Sequence, residues 1–220
     1  MNEPRQGAFY SPRQLELLAN RVLARYHATI AGEFRAPVEA WRLLDVVYPD
    51  QLNPPLWEPI PEPPGRTVLA ALAPADRLVV LNETRRQLIE ETEGLENDLV
   101  AHEIAHWELH IDRSVLGNAT LPGMERPLTF TCDEGPDGSW DERNAHRFMG
   151  YLLMPSDLIM KNAEGLNLMA WPDRYRLRER FDVTITALNI RLADLGFPYV
   201  GGDGPFYHTR QEAGGQLRLI

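Results

Sequence analysis

The chain has 220 residues, 44% of them hydrophobic, and a formal net charge of −10. This is enough apolar content for one well-buried domain with a small appendage. The basic residues form no stripe, so direct nucleic-acid binding is not expected. No apolar run approaches the ~20 residues that span a bilayer, and the single Cys132 excludes an internal disulfide. The first residues lack a charged-then-apolar pattern, so a secretion signal is not expected. We expect a soluble cytoplasmic protein without a membrane partner.

The N-terminal part, residues 1–66, predicts helices followed by a proline-rich linker. Ser11 and Pro12 are a typical N-cap and first helical residue, and apolar residues at helical spacing follow them. A second helix is predicted over residues 38–48. Residues 51–66 are rich in proline, which predicts an extended linker outside the core.

Residues 67–165 are predicted to form the central unit. Residues 67–73 and 77–82 have the composition of two strands joined by a short turn, which predicts a hairpin. Residues 90–110 then have helical spacing without proline, and their one glycine, Gly94, lies near the start. A strand beside this helix would have an edge that can hold an extended peptide.

The helix carries the motif His-Glu-Ile-Ala-His at residues 102–106. Two imidazoles four residues apart lie on one helical face and can bind a single Zn²⁺. Glu103 lies beside them, where it can accept a proton from a metal-bound water. Val100, Ile104 and Trp107 form a separate apolar stripe. We therefore expect one side of the helix to pack in the core and the histidine side to face a cleft.

A catalytic zinc site usually takes three protein ligands and a water, which predicts a third ligand downstream. The best candidate lies on a predicted helix that starts near Trp140 and is closed by Pro155. Glu142 lies near the N-terminal end of its apolar stripe, and a carboxylate on a packed face is costly unless it is paired or binds a metal. Asp141 is the alternative third ligand.

Three further residues near the motif are candidates for a role in the site. His110 lies two turns beyond His102, roughly 12 Å along the helix, too far to bind the same ion. It is interpreted as a cap of the helix or as a residue lining the cleft, where it could contact a zinc ligand or the oxyanion. His146 is interpreted either as a surface residue or as a donor to the oxyanion or to a zinc ligand. Cys132 is interpreted as a plain thiol rather than as an inhibitory metal ligand.

Residues 166–220 predict a C-terminal helical subdomain and a loose, glycine-rich tail. Short helices are predicted over residues 156–163, 173–180 and 184–195, with Gly196 ending the last. The last two helices are interpreted either as a helix-turn-helix that contacts DNA or as helices that pack on the rest of the chain. We favour the second interpretation, because Arg191 is the only basic residue of the recognition-helix candidate.

These linked motifs resemble the ImmA/IrrE family of bacterial and phage metallopeptidases. The zinc motif continues as HExxHxxLH through His110, and residues 142–155 match Glu-x-x-Ala-x-x-Phe-x-x-x-Leu-Leu-Met-Pro. Residues 181–196 match Phe-x-Val-Ser-x-x-Ala-x-x-x-Arg-Leu-x-x-Leu-Gly, with Thr184 in place of Ser. The chain departs from the family at His146, where Asn is usual, and in a long insertion over residues 117–139.

The resemblance implies a zinc-dependent endopeptidase in which His102, His106 and Glu142 bind the metal and Glu103 is the general base. It implies an α+β fold: a mainly helical zincin-like peptidase with a small antiparallel sheet beside the active-site helix and a C-terminal helical subdomain. The implied cofactor is Zn²⁺, with Mn²⁺ as the alternative. The implied substrate is a helix-turn-helix transcriptional repressor encoded nearby, cleaved to derepress stress, phage or mobile-element genes.

The alternative function is that of a regulatory binding protein with a structural or vestigial zinc site. Such a protein would sequester a repressor or bind DNA without cleavage. Glu103 is the feature against it, because a purely structural zinc site has no use for a general base.

Overall fold

A computed structural model of the chain describes residues 10–30, 32–113, 116, 130–133, 140–200, 204 and 206–207, which form an α+β fold. The described helices are α1 (Pro12–Thr29), α2 (Ala40–Val47), α3 (Arg86–Glu91), α4 (Leu95–Leu109), α5 (Trp140–Leu153), α6 (Ser156–Ala163), α7 (Trp171–Phe181) and α8 (Ile185–Asp194). The described strands are β1 (Asn53–Glu58), β2 (Val68–Ala73), β3 (Leu78–Asn82), β4 (Phe130–Asp133), β5 (Tyr199–Val200) and β6 (Phe206–Tyr207). Among these residues, no helix has the length and apolar character needed to cross a bilayer.

The N-terminal helices begin where the sequence predicts. The Ser11 hydroxyl accepts a hydrogen bond from the Gln14 backbone N–H, while the Gln14 side chain accepts one from the Ser11 N–H. This reciprocal capping satisfies N–H groups that have no partner within the helix. Buried residues of α1, α2, α4 and α5 belong to one hydrophobic core, so the N-terminal helices help to hold the central ones.

The main sheet is mixed, with strand order β1-β3-β2-β4. β2 and β3 form the predicted antiparallel hairpin, but β1 pairs with β3 in parallel, so the prediction of an antiparallel sheet is wrong. The linker prediction is also wrong for residues 53–58, which form β1. Its residues Pro54 and Pro55 are tolerated because β1 lies at an edge of the described sheet, where one row of backbone N–H groups has no strand to pair with.

Neither strand of the hairpin lies at an edge of the sheet. β2 pairs with β3 on one side and with β4 on the other, and β3 lies between β1 and β2. In the described part of the chain, the edge strand that packs against α4 is therefore β4. The sequence analysis placed that edge on the hairpin, because the segment that forms β4 lies within the polar insertion and was not expected to pair.

Both faces of the hairpin are covered, which explains its continuous apolar sequence. Side chains of β3 alternate between two clusters: Val79 and Leu81 belong to the main core with α4, whereas Leu78 and Val80 pack with Ile60 on the other face. The sheet thus forms a rigid surface against which α4 packs.

α4 is shorter than predicted, because the helical run that starts at Glu90 is interrupted before Leu95. Gly94 adopts a left-handed conformation with φ 77° at the start of α4. A Cβ there would lie 2.2 Å from the backbone carbonyl carbon of Val183. Only glycine satisfies both the backbone angle and this close approach, so α4 begins pressed against the connection between α7 and α8.

The C-terminal helices lie as predicted, and the Thr184 hydroxyl caps α8 by accepting from the Ala187 N–H. Arg191, the basic residue on which DNA contact would depend, is only 3% exposed. It donates to the Met154 carbonyl and to the side chains of Glu16 and Ser156. Arg191 is therefore not placed to contact a phosphate, and α8 packs on the rest of the chain.

Residues in the predicted loose tail form the short antiparallel pair β5 and β6. The divisions predicted at 66/67 and 165/166 stay predictions.

Candidate metal centre

The candidate metal centre lies between α4 and α5, which pack against each other. His102 and His106 occupy successive turns of α4, and Glu142 and His146 occupy successive turns of α5. The predicted apolar stripe fixes the rotation of α5, since Ala145, Phe148 and Leu152 are all 0% exposed. With that face in the core, the neighbouring face carries Glu142 toward α4.

Two imidazole nitrogens and the two oxygens of one carboxylate converge between the helices. The Nε2 atoms of His102 and His106 are 3.0 Å apart, and each lies 3.1 Å from a different oxygen of Glu142. Ligand atoms of a tetrahedral zinc ion, with bonds of about 2.0–2.1 Å, are separated by about 3.3 Å. These three distances therefore lie within a few tenths of an ångström of the spacing that one ion requires. The role of these atoms as ligands remains a prediction.

A second, overlapping group includes His146. His102, Glu142 and His146 each have a ligand atom within 4.8 Å of the others and form a group that could hold a metal ion. The His146 ring lies 4.4 Å from the His102 ring, measured between centroids. The four side chains together offer more ligand atoms than a catalytic site with an open position needs.

The protonation states of this cluster suit a cation. Burial lowers the pKa of His102 and of His106, and the neighbouring carboxylate offsets this only in part. Burial alone would raise the pKa of Glu142, but hydrogen bonds from the two imidazoles outweigh it and hold that pKa well below its usual range. Neutral imidazoles and an ionised carboxylate are the forms that bind metal ions.

Glu103 is fully buried, at 0% exposure, and neither of its carboxyl oxygens has a hydrogen-bond partner among the described residues. Burial, followed by the charge of Glu142, raises the pKa of Glu103 well above its usual value. A buried carboxyl without a partner is costly to the fold. A water bound to a metal held by the adjacent imidazoles would supply the missing partner, so this cluster fits a hydrated metal ion.

Beyond His106, a chain of polar contacts continues to α5. The Nδ1 atoms of His106 and His110 are 3.0 Å apart, and Nε2 of His110 lies 3.5 Å from Oδ1 of Asp141. If Nε2 of His106 binds a metal, its Nδ1–H donates to His110, and the His110 Nε2–H is then directed to Asp141. Such outer contacts orient metal-binding imidazoles. Asp141, the alternative third ligand, thus lies beside His110 instead of the zinc motif.

His110 is the C-cap residue of α4, one of the two roles expected of it, and its backbone N–H donates to the His106 carbonyl. Within the part of the chain that the structure describes, the motif does not face the expected open cleft: His102 is 1% and His106 0% exposed. That expectation was wrong because both sides of α4 are covered, one by the sheet and the other by α5. His146 is the exposed member of the cluster.

Sequence analysis missed two features of the site. His146 was not expected among potential ligands, although Glu142 and His146 repeat on α5 the four-residue spacing of the zinc motif. The contact of His110 with Asp141 was also missed, because spacing along one helix does not show which residues face it across a helix pair. The side chain of Cys132, considered as an inhibitory ligand, lies outside the described residues.

The chain was compared with models of known protein families and with curated proteins, and neither comparison found a match.

Proposed function

We propose that the protein is a zinc-dependent endopeptidase. The observation that carries the proposal is the buried Glu103, whose carboxyl has no partner among the described residues and lies on the same helix as two imidazoles that converge with Glu142. A structural metal site has no use for such a residue, whereas peptide hydrolysis needs a base beside the metal-bound water.

In this mechanism His102, His106 and Glu142 hold the metal. Zn²⁺ held there would supply a Lewis acid and would lower the pKa of a bound water toward ~7. Glu103 would be the general base that takes a proton from this water and returns it to the amine leaving group of the broken peptide bond. The contacts from His106 through His110 to Asp141 keep the imidazole in the tautomer whose Nε2 can bind the metal. Mn²⁺ is the alternative metal for the same donors.

The proposed substrate is a helix-turn-helix repressor encoded nearby, cut to derepress stress, phage or mobile-element genes. This follows from the family resemblance of the zinc motif and residues 142–155. β4, which packs against α4 at an edge of the described sheet, supports binding of an extended segment by backbone hydrogen bonds.

The test is incubation of the purified protein with the repressor encoded beside it, with and without a chelator. Wild type is expected to cleave the repressor at a defined bond, as seen on a gel and by mass spectrometry. Chelator and Glu103→Gln are each expected to abolish cleavage. Equal cleavage by Glu103→Gln would remove this mechanism.

A second candidate is a regulatory binding protein with a structural zinc site. It is favoured by the near-complete burial of His102 and His106 and by His146 as a fourth nearby donor, since structural zinc sites use four protein ligands. A stable one-to-one complex with intact repressor, unaffected by Glu103→Gln, would support this function over proteolysis.

A further inference from the structure

We propose that His146 is a fourth metal ligand, which closes the coordination sphere of the substrate-free protein. This inference rests on the proposed zinc function and adds a latent state to it. It assigns to His146 a direct bond with the metal, instead of a contact with another side chain.

The placement of His146 on α5 carries the argument. Residues four apart on a helix lie on the same face, so His146 shares the face of Glu142 one turn further along. α4 presents His102 and His106 with the same spacing. Two packed helices thus bring two pairs of donors together, and a ring nitrogen of His146 lies within 4.8 Å of the ligand atoms of His102 and Glu142. A tetrahedral ion needs about 3.3 Å between these atoms, a distance that rotation of one side chain can close.

His146 is more exposed to solvent than the other donors. His102 and His106 are almost fully buried and Glu142 is 14% exposed at its side chain, whereas His146 is exposed. His146 therefore lies on the solvent side of the cluster, where water or a substrate carbonyl would have to enter. A surface side chain can change rotamer without disturbing the core.

The chemistry is an exchange of ligands. In the closed form, a lone pair of a His146 ring nitrogen binds the metal at the fourth position. When His146 leaves, a water molecule would donate a lone pair to the same position and supply the partner that Glu103 lacks in the closed form. No electron is transferred to or from the metal. Four protein ligands describe a closed site and three describe a catalytic one, so departure of His146 would switch the site from latent to hydrolytic.

The test is titration of the metal-free protein with Co²⁺, which reports both affinity and, through its visible absorption, the number and type of ligands. His146→Ala is expected to weaken Co²⁺ binding by more than the roughly 10–100-fold that loss of an outer contact costs. Its absorption should change from that of a four-coordinate site with protein ligands to that of a site with added water. His27→Ala is the matched control, since His27 is exposed and lies on α1, outside the two helices that carry the cluster.

Three outcomes separate the hypotheses. Weaker binding and a changed spectrum in His146→Ala, with His27→Ala like wild type, support the fourth ligand. A wild-type affinity and spectrum in His146→Ala overturn it, while loss of binding in His102→Ala and Glu142→Ala keeps the metal centre. Co²⁺ binding that is unchanged in all of these variants overturns the metal centre itself. Circular dichroism of each metal-free variant verifies that the fold is intact.

Discussion

Two regions of this molecule differ in whether their buried charged side chains have hydrogen-bond partners. In the C-terminal helices, Arg174 is 0% exposed, and its guanidinium donates to the Leu168 carbonyl, the Asn189 side chain and the Pro198 carbonyl at 2.6–2.7 Å. Between α4 and α5, Glu103 is equally buried, yet neither oxygen has a partner among the described residues.

The difference shows how structural and functional roles can be told apart. Burial lowers the pKa of Arg174 to about 10, which leaves it charged, and its donors are used within the chain. That arrangement ties α7 to the segments around it. An unsatisfied carboxyl contributes nothing comparable to stability, so its position is better explained by a ligand. Substitutions in the two regions test this contrast.

Glu103→Gln should separate activity from stability. We expect cleavage to fall by about 10²–10⁴-fold, or about 3–5 kcal/mol of transition-state free energy, because the proton acceptor is lost. The free energy of unfolding should stay the same or rise, because a neutral amide replaces a buried carboxyl. Single-turnover cleavage and urea unfolding measure the two quantities. A large loss of stability would mean that Glu103 is a structural residue like Arg174.

Arg174→Ala, unlike Glu103→Gln, should lower the free energy of unfolding. Three acceptors, two of them buried, lose their donor, and we expect about 3–5 kcal/mol of destabilisation in urea unfolding. Arg176→Ala is the control on the same helix, because its ion pair with Asp173 is largely exposed. That variant should change stability by less than about 1 kcal/mol. Similar values for the two variants would contradict a structural role for Arg174.

His110→Ala tests the contacts that link His106 of the metal centre to His110 and Asp141. Loss of the orienting partner of His106 should weaken zinc binding by about 10–100-fold, measured by chelator competition. His110→Gln, which keeps a hydrogen-bonding side chain, should recover part of this loss. Unchanged affinity in His110→Ala would show that His106 is oriented without it.

The hydrogen bonding of Asp98 is intermediate between that of Arg174 and that of Glu103. One oxygen accepts from the Thr184 N–H at 3.0 Å, whereas the other has no partner among the described residues. Burial raises the pKa of Asp98 to about 7, from 3.8. The folded state then holds its proton more tightly than the unfolded state, so stability should fall as pH rises from about 4 to 7.

Asp98→Asn removes this titration. We expect the variant to be more stable than wild type at pH 8, by about 4 kcal/mol, and to lose that advantage near pH 4. Thermal unfolding at the two pH values measures the difference. An advantage of equal size at both values would show that Asp98 does not titrate in this window.

The parts of the fold set by local sequence were predictable. Two helix starts are marked by a hydroxyl residue: Ser11 before Pro12, and Thr184 before α8. Each hydroxyl accepts a hydrogen bond from a backbone N–H group of the first helical turn. Pairing between distant segments was not predictable in the same way. Proline at residues 54 and 55 argues against a strand interior, and only the position at a sheet edge removes the conflict.

Local sequence likewise predicted only part of the candidate site. Helical spacing placed His102 and His106 on one face, and the expected cost of burying Glu142 singled it out. Spacing along α5 does not reveal which side of the helix pair is open, so the burial of both imidazoles was missed, and His146, which is exposed, stayed open between a surface position and a role in the site. The contact between His110 and Asp141 depends on how the two helices cross, which no local pattern encodes.

The most direct test of the metal centre is elemental analysis of zinc bound per chain in wild type, Glu142→Ala and Asp141→Ala. These neighbouring carboxylates differ in that Glu142 lies 3.1 Å from both imidazole Nε2 atoms, whereas Asp141 lies beside His110. We expect one zinc ion per chain in wild type and in Asp141→Ala, and a clear deficit in Glu142→Ala. Full zinc occupancy in Glu142→Ala would contradict the account.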